Sequence, residues 1–278
     1  MYYNGNKVYL TQELYYTVCR IGKRVILAPC DELKKKQRYF KTAINWVYPL
    51  KMNTFKAVKI HCGKKYVLKM DIKDFYGSVP YPFIKQVIKN VCKRIKNADI
   101  NYYLMITTVE GKLPTGAPTS AHIANACFSP IDKRIRDYSL IFGVDYSRYM
   151  DDLIFSSDDK YFLNMIEKFV QKTLAYFGYK LNDKKTKYIS DNKQQNVLGV
   201  VVNNKDVRLP KKLRRELRAM LHSYSVFTSS GAKEIDLKYR TWDEKSLAKL
   251  NGYLAYTKQV DTKTYSKLMK YAKILKLN

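Results

Sequence analysis

The stretch SRYMDDLIFSS, residues 147–157, places two adjacent carboxylates, Asp151 and Asp152, inside an otherwise apolar run. Successive side chains of a straight strand point to opposite faces, so neighbouring aspartates in such a strand cannot serve one site. At the tight turn of a hairpin both carboxylates can reach the same region. We therefore predict two strands, DYSRYM (145–150) and DLIFSS (152–157), with the aspartate pair at the tip between them.

The aspartate pair calls for positive charge, because two carboxylates this close repel each other unless a cation lies between them. Hard oxygen ligands with no His or Cys nearby favour Mg²⁺. A third acid, Asp71, ends the apolar strand KYVLKMDI (65–72) and precedes the turn-like KDFYGS. Carboxylates that converge from separate strand ends suit phosphoryl transfer by two metal ions. The alternative is a solvated turn, which is the commoner explanation of a lone D-D pair.

The charge of the chain points to a polyanionic partner. Its 278 residues include 52 Lys and Arg against 24 Asp and Glu, a net charge of +28, and 25 tyrosines. Aromatic rings interleaved with cations supply stacking platforms for nucleic acid. The alternative is a globular protein whose Lys and Tyr content reflects only an AT-rich gene.

The cysteines and the N-terminus argue against zinc-binding, secreted and membrane proteins. Five widely spaced cysteines without a C-x-x-C pair, and only three histidines, predict reduced core thiols and no zinc site. The stretch MYYNGNKVYL shows no signal-peptide pattern, and no apolar run reaches membrane-spanning length. We expect a cytoplasmic protein with no membrane partner.

Periodicity outlines the remaining elements. Two apolar stripes at helical spacing predict helices, one from Tyr81 with Ile84, Val87, Ile88, Val91 and Ile95, and one over 161–178 with Phe162, Met165, Ile166, Phe169, Val170, Leu174 and Phe177. Gly178 is expected to end the second helix. A strand is predicted at NVLGVVVN (196–203), and a domain boundary near 204–208 precedes the basic, helical LPKKLRRELRAMLHSY. The alternation of strands and helices favours an α/β or α+β fold.

Five segments together resemble the palm motifs of reverse transcriptases, in order and spacing: LKMDIKDFYGSVP, GKLPTGAPTSAHIANACFSPID, YSRYMDDLIFSS, LNDKKTKYIS and QQNVLGVVVNN. They are similar above all to the bacterial retron and group II intron lineage, and the likeness covers about residues 20 to 270. The resemblance implies an α+β right-hand polymerase. Its parts would be N-terminal fingers (1–66), a palm with an antiparallel sheet (67–205) that includes a fingers segment near 80–112, and a helical thumb (206–278).

The resemblance also implies roles for single residues of the catalytic centre. Asp71, Asp151 and Asp152, with the main-chain carbonyl of Ile72, match the ligands of two Mg²⁺ ions, with Mn²⁺ as an alternative metal. Lys185 matches the lysine thought to protonate the pyrophosphate leaving group.

The nucleotide and the nucleic acid would be held by further matching positions. The nucleotide-binding residues are Arg24, Asp74, Phe75, Tyr76, Gly116 and Ala117, where the ring of Tyr76 would clash with a ribose 2′-OH and select deoxynucleotides. The nucleic-acid-binding residues are Tyr149, Met150, Gly199, Lys211, Lys212, Arg214, Arg215 and Arg218. Five structural alternatives stay open: an ordinary core tyrosine for Tyr76, a solvated fingers arginine for Arg24, helix packing for the Gly116 run, a glycine bulge in an apolar strand for Gly199, and a solvated helix face for the basic cluster.

Several positions depart from the family pattern. Thr115 stands in place of a frequent glutamine and Ala121 in place of a proline, His61 lacks the preceding Asn-Ala of retron enzymes, and Val197-Leu198-Gly199 replaces V-T-G. A divergent retron enzyme and a defence-associated or abortive-infection reverse transcriptase therefore both remain open.

The function implied is RNA-directed DNA polymerase activity in anti-phage defence. The partners would be a structured non-coding RNA template, its DNA product, deoxynucleoside triphosphates and a separate effector protein. Two alternatives are template-independent or protein-primed DNA synthesis, and a catalytically silent RNA-binding scaffold. Three converging carboxylates argue against the scaffold, which has no need of them.

Overall fold

The computed structural model describes residues 3–4, 7–22, 24–50, 54–230 and 242–275. The chain divides into two compact units. The first comprises Met1–Asn53 and Leu68–Tyr188, and the second comprises Thr54–Val67 and Ile189–Asn278. The finer division into fingers, palm and thumb stays a prediction.

The first unit begins with an antiparallel sheet in the order β1-β2-β3-β4, formed by Tyr3–Asn4, Lys7–Tyr9, Tyr15–Ile21 and Arg24–Pro29. Helix α1 (Asp31–Val47) follows directly. Its buried Gln37 donates hydrogen bonds to the hydroxyl of Tyr16 at 2.6 Å and to the carbonyl of Ile106 at 2.7 Å. These bonds satisfy polar groups that burial would otherwise penalise, and they tie β3 to the helix.

A second four-stranded sheet, in the order β6-β7-β5-β8, carries the three aspartates. Its strands are β5 (Tyr66–Asp71), β6 (Asp145–Tyr149), β7 (Asp152–Ser157) and β8 (Lys187–Ser190). The helices of this part of the chain are α2 (Thr54–Lys59), α3 (Tyr81–Cys92), α4 (Ile100–Thr107), α5 (Ser120–Ile141) and α6 (Lys160–Tyr176). Sheet and helices together make an α+β fold.

Most elements predicted from periodicity lie where we expected them. Helix α3 buries Ile84, Val87, Ile88 and Val91 as predicted, although it ends at Cys92, before Ile95. Helix α6 buries Ile166, Val170 and Leu174 from the predicted stripe, and it buries Leu163 and Thr173 as well. It is followed by Gly178, whose φ of +83° suits glycine at a helix C-terminus.

The predicted strand over 196–203 is wrong, because the segment folds back on itself. It forms a tight antiparallel hairpin of β9 (Asn196–Val197) and β10 (Val200–Val201). Leu198 and Gly199 make the turn, with φ values of +47° and +87°. Two positive φ values are typical of a type I′ turn, which usually carries Asn-Gly. Leucine in place of asparagine gave no indication of this turn in the sequence. The alternative of a glycine bulge is also wrong, because Gly199 belongs to the turn of a hairpin.

Three helices complete the second unit: α7 (Lys211–Ser230), α8 (Glu244–Val260) and α9 (Thr262–Ile274). Helix α7 begins directly after Pro210, close to the predicted change of character. Asp243 and Asp261 cap α8 and α9 by accepting hydrogen bonds from the main-chain amides of Ser246 and Thr264.

Two of the exclusions made from the sequence can be compared with the fold. No helix among the described residues is long and apolar enough to cross a membrane. All five cysteines are free, and Cys92 and Cys127 are buried as expected of core thiols. Cys19 is exposed on β3, so the expectation of a core position is wrong for this residue.

Candidate active site

The turn between β6 and β7 consists of two residues. Tyr149 pairs with Asp152 across the hairpin, so that Met150 and Asp151 form the connection. Met150 has a φ of +54°, which the first residue of a type II′ turn requires. Asp152 is thus the first residue of β7, as in the strand predicted over 152–157. The tip consists of Met150 and Asp151 and not of the aspartate pair, a one-residue correction. The turn still brings both carboxylates to the same end of the hairpin.

The end of β5 meets this turn through the main chain. The amide of Ile72 donates a hydrogen bond to the carbonyl oxygen of Asp151 at 2.9 Å. Asp71, immediately before it, is buried at the strand end with 6% of its surface exposed. The three aspartates therefore come from two chain segments that a hydrogen bond holds together.

The opposite side of Ile72 faces the segment before the short 3-10 helix Asp183–Lys185. Ile72 forms an antiparallel bridge with Leu181. The hydrogen bonds of this bridge are made by the residues on either side of Ile72. The amide of Lys73 donates to the carbonyl of Lys180, and the carbonyl of Asp71 accepts from the amide of Asn182, both at 2.8 Å. In this pairing the N–H and C=O of one residue point the same way. The carbonyl of Ile72 therefore points toward Asp151, the side expected of a metal ligand.

Negative charge accumulates at this junction. The pKa of Asp152 is raised above its ordinary value by burial first, and then by the negative charges of Asp151 and Asp71. Lys69 and Lys185 act in the opposite direction. The ammonium of Lys185 lies 2.7 Å from Oδ2 of Asp71, with half of the lysine side chain exposed to solvent.

The donor set suits Mg²⁺ in its chemistry. In the ranges that the structure describes, no three His, Cys, Asp or Glu side chains are already arranged to hold a metal ion. However, Asp71, Asp151 and Asp152 offer only hard oxygen donors. Burial first, and then the negative charges of Asp151 and Asp71, raise the pKa of Asp152, and a cation of the protein itself, the Lys185 ammonium, already binds Asp71. These observations fit a cation site.

The loop after β5 turns sharply at Asp74, whose φ is +48°. A Cβ at Gly77 would lie 2.3 Å from Oδ2 of Asp74, so a larger residue there would displace this carboxylate. The carbonyl of Asp74 accepts a hydrogen bond from the amide of Ser78 at 2.8 Å. The side chain of Phe75 is buried against Phe128, with ring centroids 5.7 Å apart. Contact with a nucleotide through main-chain amides stays a prediction, and it does not require the Phe75 side chain.

Tyr76, in the same loop, lies near the β6–β7 turn. Its pKa is raised by burial first, and then by the negative charge of Asp151 and by Tyr149. The ring is half-buried and leaves one part open. A position beside Asp151 is consistent with a steric gate, and this role stays a prediction.

The loop that contains Gly116 packs against β4. The amide of Leu27 donates to the carbonyl of Thr115 at 2.8 Å. Gly116 has a φ of +113°, and a Cβ there would lie 2.9 Å from the carbonyl oxygen of Leu27. Ala117 is 9% exposed in the same core. Packing against β4 therefore explains the glycine, whereas contact with a base pair stays a prediction. The same strand begins at Arg24, which is exposed.

Sequence reasoning missed Arg148, whose guanidinium binds several groups near the turn. Its side chain is 5% exposed and forms an ion pair of 2.6 Å with Asp132. It also donates to the carbonyl of Met150 at 2.8 Å. A lone arginine in β6, two residues before the turn, was the available signal.

The predicted nucleic-acid-binding residues of the second unit lie mainly on one helix face. Lys211, Arg214, Arg215 and Arg218 occupy i, i+3, i+4 and i+7 positions of α7. Lys212, Arg215 and Arg218 line an open cavity of about 1090 Å³ with Trp242 and Tyr271 among its other walls. The guanidinium of Arg218 lies 4.8 Å from the ring centre of Tyr271. Both rings are half-buried, and cations beside aromatic rings are typical of single-stranded nucleic-acid binding.

Comparison with protein families gives one match that covers most of the chain. A family model described as reverse transcriptase (RNA-dependent DNA polymerase) matches residues 16–202. Retron Mx65 reverse transcriptase of Myxococcus xanthus is 28% identical over 277 residues, which cover 91% of this chain and 62% of the relative. Retron Ec86 reverse transcriptase of Escherichia coli is 26% identical over 218 residues, covering 76% and 61%. The chain thus spans about three fifths of these relatives.

Solved structures of low sequence identity share the fold. The foamy viral protease-reverse transcriptase in complex with double-stranded DNA has a TM-score of 0.54 at 16% identity, covering 94% of this chain and 42% of the other. Apo telomerase from Candida tropicalis has a TM-score of 0.52 at 13% identity, covering 80% and 55%. The predicted α+β right-hand polymerase fold is confirmed.

Proposed function

Because the chain belongs to the reverse transcriptase family, we propose that it is an RNA-directed DNA polymerase that extends DNA on an RNA template. The observation that carries this proposal is the junction of β5 with the β6–β7 turn. The Ile72 amide donates a hydrogen bond to the Asp151 carbonyl at 2.9 Å, and burial first, then the negative charges of Asp151 and Asp71, raise the pKa of Asp152. A binding scaffold has no use for such a cluster of repelling charge.

Asp71, Asp151 and Asp152 would hold Mg²⁺, or Mn²⁺ as an alternative, with the Ile72 carbonyl as a main-chain donor. When bound, the metal ions activate the primer hydroxyl and neutralise charge on the phosphates. Lys185 would leave Asp71 and deliver a proton to the pyrophosphate, since its half-exposed side chain is free to move. Tyr76 would exclude a ribose 2′-OH beside Asp151.

The deoxynucleoside triphosphate would lie against Arg24 and the main-chain amides of Asp74 and Phe75, with Gly116 and Ala117 beneath. The nucleic acid would contact Tyr149 and Met150 in the first unit, and Gly199, Lys212 and the basic face of α7 in the second. Support for these contacts comes from the charge of +28 and from the Tyr271 ring beside Arg218.

The natural template would be a structured non-coding RNA, by analogy with the retron relatives. A cytoplasmic location, a separate effector protein and a role in anti-phage defence follow from the same analogy. The chain spans only part of these relatives.

Sequencing the nucleic acid that co-purifies with the full chain from its native host tests this function. The wild type is compared with the Asp151→Asn, Asp152→Asn variant. The control is Asp31→Asn, Glu32→Gln, which neutralises an exposed adjacent acid pair in the first turn of α1. We expect a discrete DNA complementary to one RNA in the wild type and the control, and RNA alone in the active-site variant.

Other outcomes of this experiment contradict the proposal. Heterogeneous or repetitive DNA, or DNA attached to the protein, would favour template-independent or protein-primed synthesis. Equal recovery of RNA without DNA from all three proteins would favour the scaffold.

A further inference from the structure

Arg148 is a buried cation that the proposed chemistry does not use. Its Nε lies 2.9 and 3.0 Å from the two carboxylate oxygens of Asp132, and its Nη2 lies 2.6 Å from Oδ2 of the same residue. Nη2 also donates to Oδ1 of Asn125 at 2.6 Å. The remaining terminal nitrogen, Nη1, donates to the carbonyl oxygen of Met150 at 2.8 Å. All three guanidinium nitrogens are therefore engaged.

The contact with Met150 fixes a single peptide plane. The carbonyl of Met150 belongs to the peptide bond that joins it to Asp151, and this bond is planar. Met150 has a positive φ of +54°, which a non-glycine residue seldom adopts. A hydrogen bond at this carbonyl thus holds the turn that orients Asp151.

The guanidinium is in turn fixed from α5. Asp132 accepts a further hydrogen bond from the hydroxyl of Tyr146 at 2.7 Å. Phe128 lies 4.6 Å and Phe75 5.8 Å from the guanidinium carbon, measured to the ring centres. Phe75 directly precedes Tyr76. Arg148 therefore contacts α5, the β6–β7 turn and the loop that carries Tyr76.

We propose that Arg148 is a positioning residue, whose guanidinium sets the Met150–Asp151 peptide and so the orientation of the Asp151 carboxylate. The inference rests on the proposed function and adds a determinant of turnover outside the metal-binding acids. Lysine cannot replace it, since one ammonium cannot bond Asp132, Asn125 and Met150 together in the planar geometry of a fork.

The test compares Arg148→Lys with Arg134→Lys in the full chain. Arg134 is an exposed arginine of α5 whose guanidinium lies 5.8 Å from the ring centre of Phe169. Arg134→Lys therefore makes the same substitution at a position away from the turn. For Arg148→Lys we expect kcat on a primed RNA template to fall about 100-fold, since small displacements of reacting groups cost this much. KM for the nucleotide is expected to change by less than about three-fold.

Two readouts do not depend on activity. Mn²⁺ binding to the protein without nucleic acid, titrated by electron paramagnetic resonance, should weaken about ten-fold in Arg148→Lys, a loss typical of changes behind metal ligands. Hydrogen exchange of the Ile72 amide, whose acceptor is the Asp151 carbonyl, should become faster. Arg134→Lys should leave both unchanged.

The outcomes separate the two proposals. If Arg148→Lys lowers the melting temperature but leaves kcat, Mn²⁺ affinity and Ile72 exchange at wild-type values, Arg148 is only a structural residue. If the wild type itself polymerises nothing, the proposed function fails, while Mn²⁺ affinity and exchange still decide the role of Arg148. If Arg148→Lys does not fold, Asn125→Ala removes one support of the fork and should give a smaller shift in the same three readouts. No shift there would overturn the inference.

Discussion

The ammonium of Lys185 binds the carboxylate of Asp71 at 2.7 Å, although 114 positions separate the two residues in the chain. The lysine thus neutralises one acid of the candidate metal site in the free protein. The same side chain is the proposed proton donor to pyrophosphate, so it competes with metal in one state and assists the reaction in another.

Replacing Lys185 should therefore move metal affinity and turnover in opposite directions. In Lys185→Ala we expect tighter Mn²⁺ binding to the free protein, because a competing cation is gone. We also expect a kcat lowered by about 100-fold, because a general acid is lost. Lys184→Ala, which removes an exposed lysine of the same short helix, is the control. Weaker metal binding in Lys185→Ala would contradict the competition.

Neutralising Asp152 should stabilise the fold while it abolishes activity. Folding raises the pKa of this carboxyl through burial and the charges of Asp151 and Asp71. The folded chain therefore binds the proton more tightly than the unfolded chain, and ionisation at neutral pH disfavours folding. For Asp152→Asn we expect the melting temperature at pH 7 to rise by about 2 °C and polymerisation to fall at least about 100-fold. A lower melting temperature would show that the carboxylate stabilises the fold.

The size of the Tyr76 side chain should decide the choice of sugar. Tyr76→Ala is expected to lower the preference for deoxynucleotides over ribonucleotides about 100-fold, which is the range that steric pockets supply. The ratio of kcat/KM for dATP and ATP on one primed template measures this preference. Tyr76→Phe keeps the ring and should keep the preference. Equal discrimination in Tyr76→Ala and wild type would refute the gate.

Gly116 should be far less tolerant of a methyl group than Gly143. Both residues have positive φ, but a Cβ at Gly116 would lie 2.9 Å from the Leu27 carbonyl, while Gly143 has open space within 4 Å. We expect Gly116→Ala to lower the free energy of unfolding by about 3 kcal/mol and Gly143→Ala by about 1 kcal/mol, both from urea titrations. Similar losses would mean that the contact with β4 adds nothing to the backbone cost.

His61 should make the second unit sensitive to mild acid. It is fully buried, and burial first, then the charge of Lys64, lowers its pKa from 6.5 to about 3. Between these values the unfolded chain binds a proton that the folded chain does not, so stability falls as pH falls from 6.5 toward 3. This residue alone should remove about 1.5 kcal/mol between pH 6.5 and pH 5. His61→Gln should lack that part of the pH slope in urea titrations of the unfolding free energy. An unchanged slope would mean that a group other than His61 binds the proton on unfolding.

The sequence was sufficient for the parts of the site that depend on local pattern. Strand-like segments on both sides of Asp151 and Asp152 predicted the hairpin, and the apolar run before Asp71 predicted a strand that ends there. The turn lies one residue earlier than predicted, because Met150 adopts a positive φ that a methionine side chain does not indicate. Leu198 hid a second tight turn in the same way.

Long-range contacts could not be predicted from local pattern. Arg148 lies in a strand of mixed polarity, and nothing near it in the sequence indicates that Asn125 and Asp132 on α5 bind its guanidinium. Gly116 looks like a small residue before a helix, and its reason, the Leu27 carbonyl on β4, lies 89 positions earlier. In both cases the determining partner belongs to a distant element that only packing brings near.

The most direct test of the central claim is extension of a DNA primer on a defined RNA template by the purified protein with Mg²⁺ and the four deoxynucleotides. The account predicts a product of template length whose sequence is complementary to the RNA, made by the wild type and absent with the Asp151→Asn, Asp152→Asn variant. Product from the variant at the wild-type rate, or wild-type product unrelated to the template sequence, would contradict the account.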